Sequence, residues 1–238
     1  MYKRQDYYRG LISGVRLSIN CIKRLVDSNI NPSSGFKLDG DITYEKNNFI
    51  EGLDLSDAGT LVQNWANNDL WRIQQSSSFF LEIPTTNRIT ISLESIAGSI
   101  SNVEADSFFH FFAGGINGLK GYPFYSIEGK SIAIATGTLR IPVFREKHIS
   151  LGWFIMQNST LGFIGQIGDA WSQRVDEPNW LHSVGIQWRI NGFSFYNFPT
   201  AIGLELHQGL DTFQRQINNK SVTYGQEQRF YLTILFGF

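Results

Sequence analysis

Lys120 is the residue best placed to make an unusual contact. It sits in a glycine-rich stretch, Phe112-Ala113-Gly114-Gly115-Ile116-Asn117-Gly118-Leu119-Lys120-Gly121-Tyr122, where glycines flank a basic tip. Gly114, Gly115 and Gly121 allow angles and close approaches that a Cβ forbids. Such a tip can pair with groups on a neighbouring wall and anchor its own loop. Conventional catalytic arrangements are missing: there is no Gly-x-Ser-x-Gly elbow, His-Glu-x-x-His helix or P-loop. His110, His148, His182 and His207 have no metal-ligand spacing, so neither a metal nor a cofactor is expected. Glu205 and His207 share one strand face and read as a hydrogen-bonded pair rather than a proton-transfer pair. Asp39, Asp41 and Glu45 read as solvated wall carboxylates, and Cys21 as a small packing residue. The chain is read as a non-enzyme.

The elements that must carry these residues are strands, because the dominant period is 2. Val184, Ile186, Trp188 and Ile190 alternate with Ser183, Gly185, Gln187 and Arg189. The same alternation runs through 36–45, 88–94 and 202–207. It predicts an all-β chain with about nine strands, near 8–20, 36–49, 70–83, 87–98, 130–143, 158–171, 180–192, 198–210 and 227–238. Residues 53–67 could form a short helix. A segment of about thirty residues joins the fourth and fifth strands, a length that usually signals function. No internal repeat or linker divides residues 6–238. Residues 1–5, Met-Tyr-Lys-Arg-Gln, read as a non-native adapter, which makes the chain the tail of a longer protein.

Charge narrows the partners. Twenty Lys+Arg against 21 Asp+Glu give a formal net charge of -1, which argues against nucleic acid. Only 17% of residues are charged while 14% are aromatic, and the single cysteine excludes an intrachain disulfide. No apolar run reaches the ~18 residues of a membrane helix.

Alternation alone does not say which face is wet. In a soluble sandwich the apolar face is the core; in an outer-membrane barrel it meets lipid and the polar face lines the lumen. Charges stand in mid-strand at Lys37, Asp39, Asp41 and Glu45, and aromatics gather at strand ends, as at Trp180, Phe193, Phe195, Tyr196 and Phe198. Phe230, Leu232, Ile234, Phe236 and Phe238 put every second side chain of the last strand on one apolar face and end on an aromatic. These features point to an antiparallel transmembrane β-barrel in outer-membrane lipid, with those five alternate side chains of the last strand facing outward and Gln187, Arg189, Glu205 and His207 inward. An odd strand number cannot close a bacterial single-chain barrel, so an open, incomplete one is expected.

The glycine-rich segment resembles the inserted-loop motif of the Omp85 superfamily (bacterial surface antigen, D15 type), in which an aromatic-Ala-Gly-Gly run leads to an Arg-Gly-aromatic tip. Gly137-Thr138-Leu139-Arg140-Ile141-Pro142 is similar to that family's next strand. Ile164-Gly165-Gln166-Ile167-Gly168-Asp169-Ala170-Trp171 resembles the Phe-x-Asp-x-Gly strand that follows. With the terminal strand, the resemblance covers roughly residues 70–238; residues 106–109 and 120–125 look most like members whose barrel follows a TolB-like propeller. It implies a bacterial outer-membrane location and about seven further strands upstream. It also implies a role in inserting or translocating outer-membrane proteins, with client proteins and the barrel assembly machinery as partners. Alternatives stay open: a passive pore or anchor for an upstream propeller or patatin-like domain, or a soluble barrel or sandwich that binds ligands.

In that family the loop arginine faces strand carboxylates. Here the tip is Lys120, and the wall positions are Thr138, Arg140, Gln166 and Gly168. The resemblance therefore implies a lock between Lys120 and the neutral oxygens of Gln166 or Thr138, with the loop folded inward. Restoring an aspartate at 166 is then expected to tighten it. Alternatively, packing of Tyr122, Phe124 and Tyr125 holds the loop.

Overall fold

The computed structural model describes residues 8–23, 32–57, 59–84, 88–102, 106–172, 178–195, 197–217 and 220–237. Its strands in chain order are β1 (Tyr8–Asn20), β2 (Gly35–Leu55), β3 (Leu61–Ile83), β4 (Ile89–Ile100), β5 (Phe111–Phe112), β6 (Glu128–Gly129), β7 (Ser131–Phe144), β8 (Ile149–Leu151), β9 (Phe154–Trp171), β10 (Leu181–Ser194), β11 (Phe198–Gly209), β12 (Phe213–Ile217), β13 (Lys220–Tyr224) and β14 (Gln228–Phe236). Nine long strands form one antiparallel sheet in the order β1-β2-β3-β4-β7-β9-β10-β11-β14, with β8 added on β9. Neighbours in sequence are neighbours in space, as hairpin connections require. Among the described residues no pairing joins β14 back to β1, so the sheet is open.

All nine expected long strands are present, with shifted ends. The possible helix at 53–67 is instead the end of the β2–β3 hairpin. Leu55 pairs with Leu61, and the turn closes through Ser56 N to Thr60 O at 2.8 Å and a Ser56–Thr60 hydroxyl contact at 2.7 Å. Cross-strand pairing continues along Asn47–Asn68 and Asn48–Asn67, where single-residue preferences are weak. The long β4–β7 connection is also structured, by a 3₁₀ turn at Ser107–Phe109 and the β5–β6 pair. A second hairpin, β12–β13, rises between β11 and β14.

The register lines side chains into rows across the sheet. On one face Leu81, Ile91, Leu139, Phe163, Ile186, Leu206 and Phe230 lie opposite one another in turn, spanning seven strands. Most are well exposed: Leu81 48%, Phe163 45%, Ile186 50% and Phe230 64%. Leu232, Ile234 and Phe236 extend the apolar face on β14; Phe238 lies outside the described residues. The other face carries the row Arg140, Gly162, Gln187, Glu205, Tyr231. That face is covered by segment 113–127, so Gln187, Glu205 and His207 are buried although polar.

The main apolar core lies between this segment and the sheet: Ala113, Leu119, Tyr122 and Ile127 pack on Ile132, Ile134, Ala170 and Leu181. A smaller cluster of Leu70, Ile100 and Phe109 fixes the approach to the loop. Cys21, expected to pack, is exposed instead, because it follows the end of the edge strand β1. Residues 1–5 lie outside the described residues.

Candidate functional site

The loop is first closed on itself. Leu119 N donates to Ala113 O at 2.7 Å, Ala113 N to Ile127 O at 2.9 Å, and Gly115 N to Tyr122 O at 3.0 Å. Gly115 has φ +88°, in the left-handed region that favours glycine. At Gly121 a Cβ would stand 2.6 Å from Gly209 N, so only glycine lets the tip lie against β11. The loop therefore folds back over the wall, as its glycines and aromatics lead one to expect.

Lys120 then ties the tip to three strands. Its backbone N–H donates to Gln166 Oε1 on β9 at 2.9 Å. Its carbonyl accepts from the Tyr231 hydroxyl on β14 at 2.9 Å. Its ammonium pairs with Glu205 Oε2 on β11, where the lysine and glutamate side chains are 21% and 7% exposed. The expected lock on neutral oxygens is thus corrected: the side chain has found a carboxylate, and Gln166 holds only the backbone. Glu205 also accepts from the Gln187 amide and makes a 3.0 Å contact with His207 Nε2.

Gln166 uses its amide in full. Nε2 donates to Gly118 O at 2.8 Å and Thr136 Oγ1 at 3.2 Å, while Oε1 also accepts from Ser183 Oγ at 2.9 Å. An aspartate has no donor for Gly118 O, so the geometry reverses the expectation that aspartate would tighten the loop. Thr138 and Arg140 line a cavity beneath the loop. Arg140 Nη1 donates to Ser92 Oγ at 3.3 Å. Gly168 lies where β9 meets Ile134 of β7 and Leu181 of β10.

Two further anchors hold the loop base. Tyr122 is fully buried; its hydroxyl reaches His182 O at 2.9 Å and Asp211 O at 3.0 Å and accepts from Asp211 N at 3.1 Å. Phe124 and Tyr125 are exposed, so of the three aromatics only Tyr122 acts by burial. Glu128 bridges Arg215 on β12, Nη2 at 2.5 Å, and His110 Nδ1 at 2.8 Å. Arg215 Nη1 also donates to Tyr125 O at 2.9 Å. Burial pushes the Glu128 carboxyl up, but the bonds from Arg215 and His110 outweigh it and hold it below the usual carboxylate range. Hydrogen bonds from the His182 ring and backbone likewise lower Asp211.

The remaining histidine, His148, contacts Gln157 at 3.3 Å, so each histidine has its own local partner. The wall carboxylates are paired rather than merely solvated: Asp41 with Arg16, Asp39 with Lys37 and Glu45 with Arg72.

Glu205, Tyr231, Arg215 and Glu128 were not singled out as loop partners by sequence. A signal existed for two of them. Glu205 is the sole acidic residue from 181 to 210, and Tyr231 is an aromatic with a hydroxyl on the parity opposite to the apolar face of the last strand. No family model, curated protein or solved structure matches the chain, so the role of this site is read from its own geometry.

Proposed function

We propose that the chain forms part of the wall of a bacterial outer-membrane β-barrel of the Omp85 kind, with segment 113–127 held inside the lumen. The observation that carries this reading is the inverted polarity of the sheet. The row from Leu81 to Phe230 leaves large apolar side chains uncovered across seven strands, while Glu205, His207 and Gln187 are buried beneath the loop. In water such a face is a liability; in hydrocarbon it is the stable arrangement. Aromatic groups at both ends of β9 and β10 agree: Trp171 with Trp180 at one end and Trp153 stacked on Phe195 at the other. The 14 residues of β10 exceed the ~9–11 that a tilted strand needs to cross.

The function proposed from the resemblance is insertion or translocation of outer-membrane proteins, with client strands and the barrel assembly machinery as partners. Among the described residues the outer edge of β14 is unpaired, the kind of template on which an added strand can pair.

Spin labels at Ile186 and Leu232, in a Cys21→Ser background in phospholipid vesicles, test the membrane reading. Collisions with oxygen rather than with a water-soluble paramagnet are expected; the opposite ranking overturns it. Vesicles carrying the protein should also speed folding of an unfolded outer-membrane client, and a rate equal to that in empty vesicles would refute the insertase role.

A further inference from the structure

Beneath the loop lies a cavity of about 280 Å³, several times the ~30 Å³ share of one water molecule. Its walls come from β3, β4, β7, β9 and β10, and its roof is the segment Ile116–Gly118 with Lys120. We propose that this cavity is a binding site for a small oxyanion, a carboxylate or a phosphate, gripped chiefly by Arg140. It goes beyond the membrane reading and rests on loop and wall geometry alone.

The argument begins with a buried guanidinium. Arg140 is 5% exposed, yet it makes a single long bond to Ser92 and its Nε has no partner. A guanidinium carries five N–H donors in a planar fork, and burying them without acceptors is costly. Gly162 stands opposite Arg140 in the register, between it and Gln187, so the arginine stem crosses a position with no side chain in the way.

Charge points in the same direction. Lys120, Arg140, Arg189 and Glu94 all line the cavity. Lys120 is neutralised by Glu205, which leaves two guanidinium groups facing one carboxylate. Arg189 has interactions of its own, so the case rests on Arg140. A single added negative charge balances the set. Water could fill the space but would not supply that charge. Thr136, Thr138 and Gln187 add hydroxyl and amide donors around it. An oxyanion with two or three oxygens matches the fork of an arginine better than a spherical ion does.

The test uses the folded chain in detergent micelles, with sodium phosphate, sodium acetate and sodium chloride compared at equal ionic strength. Phosphate or acetate should raise the unfolding temperature saturably above chloride, and which one does so identifies the oxyanion. Arg140→Gln should weaken that effect at least tenfold. A response equal to chloride, or one retained in Arg140→Gln, overturns the proposal. A second readout needs no variant: the oxyanion should protect Arg140 from an arginine-directed dicarbonyl reagent, mapped by mass spectrometry. Unchanged labelling at saturating phosphate and acetate also overturns it. Spin labels that failed to report lipid would leave this result standing, so the two ideas fail separately.

Discussion

Removing Glu205 should release the loop more than removing Lys120, although the two form one pair. The carboxylate of Glu205 receives three groups, the Lys120 ammonium, the Gln187 amide and His207 Nε2. Glu205→Ala strands all three, and Gln187 and His207 are only 2% and 0% exposed. Deleting one partner of a buried pair costs about 3–5 kcal/mol; residual water contact at Lys120 places this case near the lower end. Lys120→Ala leaves Glu205 its two other partners and removes one charged bond, about 1.5–3 kcal/mol. The double variant should therefore cost clearly less than the two single changes together. Denaturant unfolding in detergent gives the energies, and limited proteolysis within 114–125 reports loop release directly. The reasoning is refuted if Glu205→Ala is no more labile than Lys120→Ala, or if the cycle couples by less than about 0.5 kcal/mol.

Gln166→Asp should loosen the loop by about 1–3 kcal/mol, because it leaves Gly118 O facing a group that can only accept; slower cleavage than in the parent chain would contradict this. Tyr122→Phe should cost a similar amount, about 1–3 kcal/mol, by stranding Asp211 N and Asp211 O, while the His182 carbonyl keeps its bond from Leu210 N. Hydrogen exchange at 210–213 should then rise, and unchanged protection would count against the anchor. Glu128 titrates below its unfolded range, so its contribution is complete above that range and fades as pH falls through the lowered folded value. Proteolysis of the β12–β13 hairpin should accelerate in acid, and Glu128→Gln should flatten that dependence.

The long strands were legible because alternation is a local signal and each strand repeats it. The end of the β2–β3 hairpin was not, since Asn64, Asn67 and Asn68 disfavour a strand individually and take their place through pairing with β2. The β12–β13 hairpin escaped for a related reason. Its five-residue arms carry little pattern, and tertiary contacts hold it: Phe213 packs against Tyr122, and Arg215 reaches Glu128.

At the site, the inward fold of the loop could be read from its glycines, but the partner of Lys120 could not. Lys120 and Glu205 lie 85 positions apart, and their meeting depends on a register that no single strand encodes. Two pairings, β10 with β11 and β11 with β14, together bring Gln187, Glu205 and Tyr231 into one row. Slipping β11 by one residue would turn Glu205 to the apolar face and leave the ammonium without a carboxylate there. The contact is therefore a product of the whole C-terminal half of the sheet. The tip in turn bonds to β9, β11 and β14, so the loop fastens the same strands whose register creates its lock.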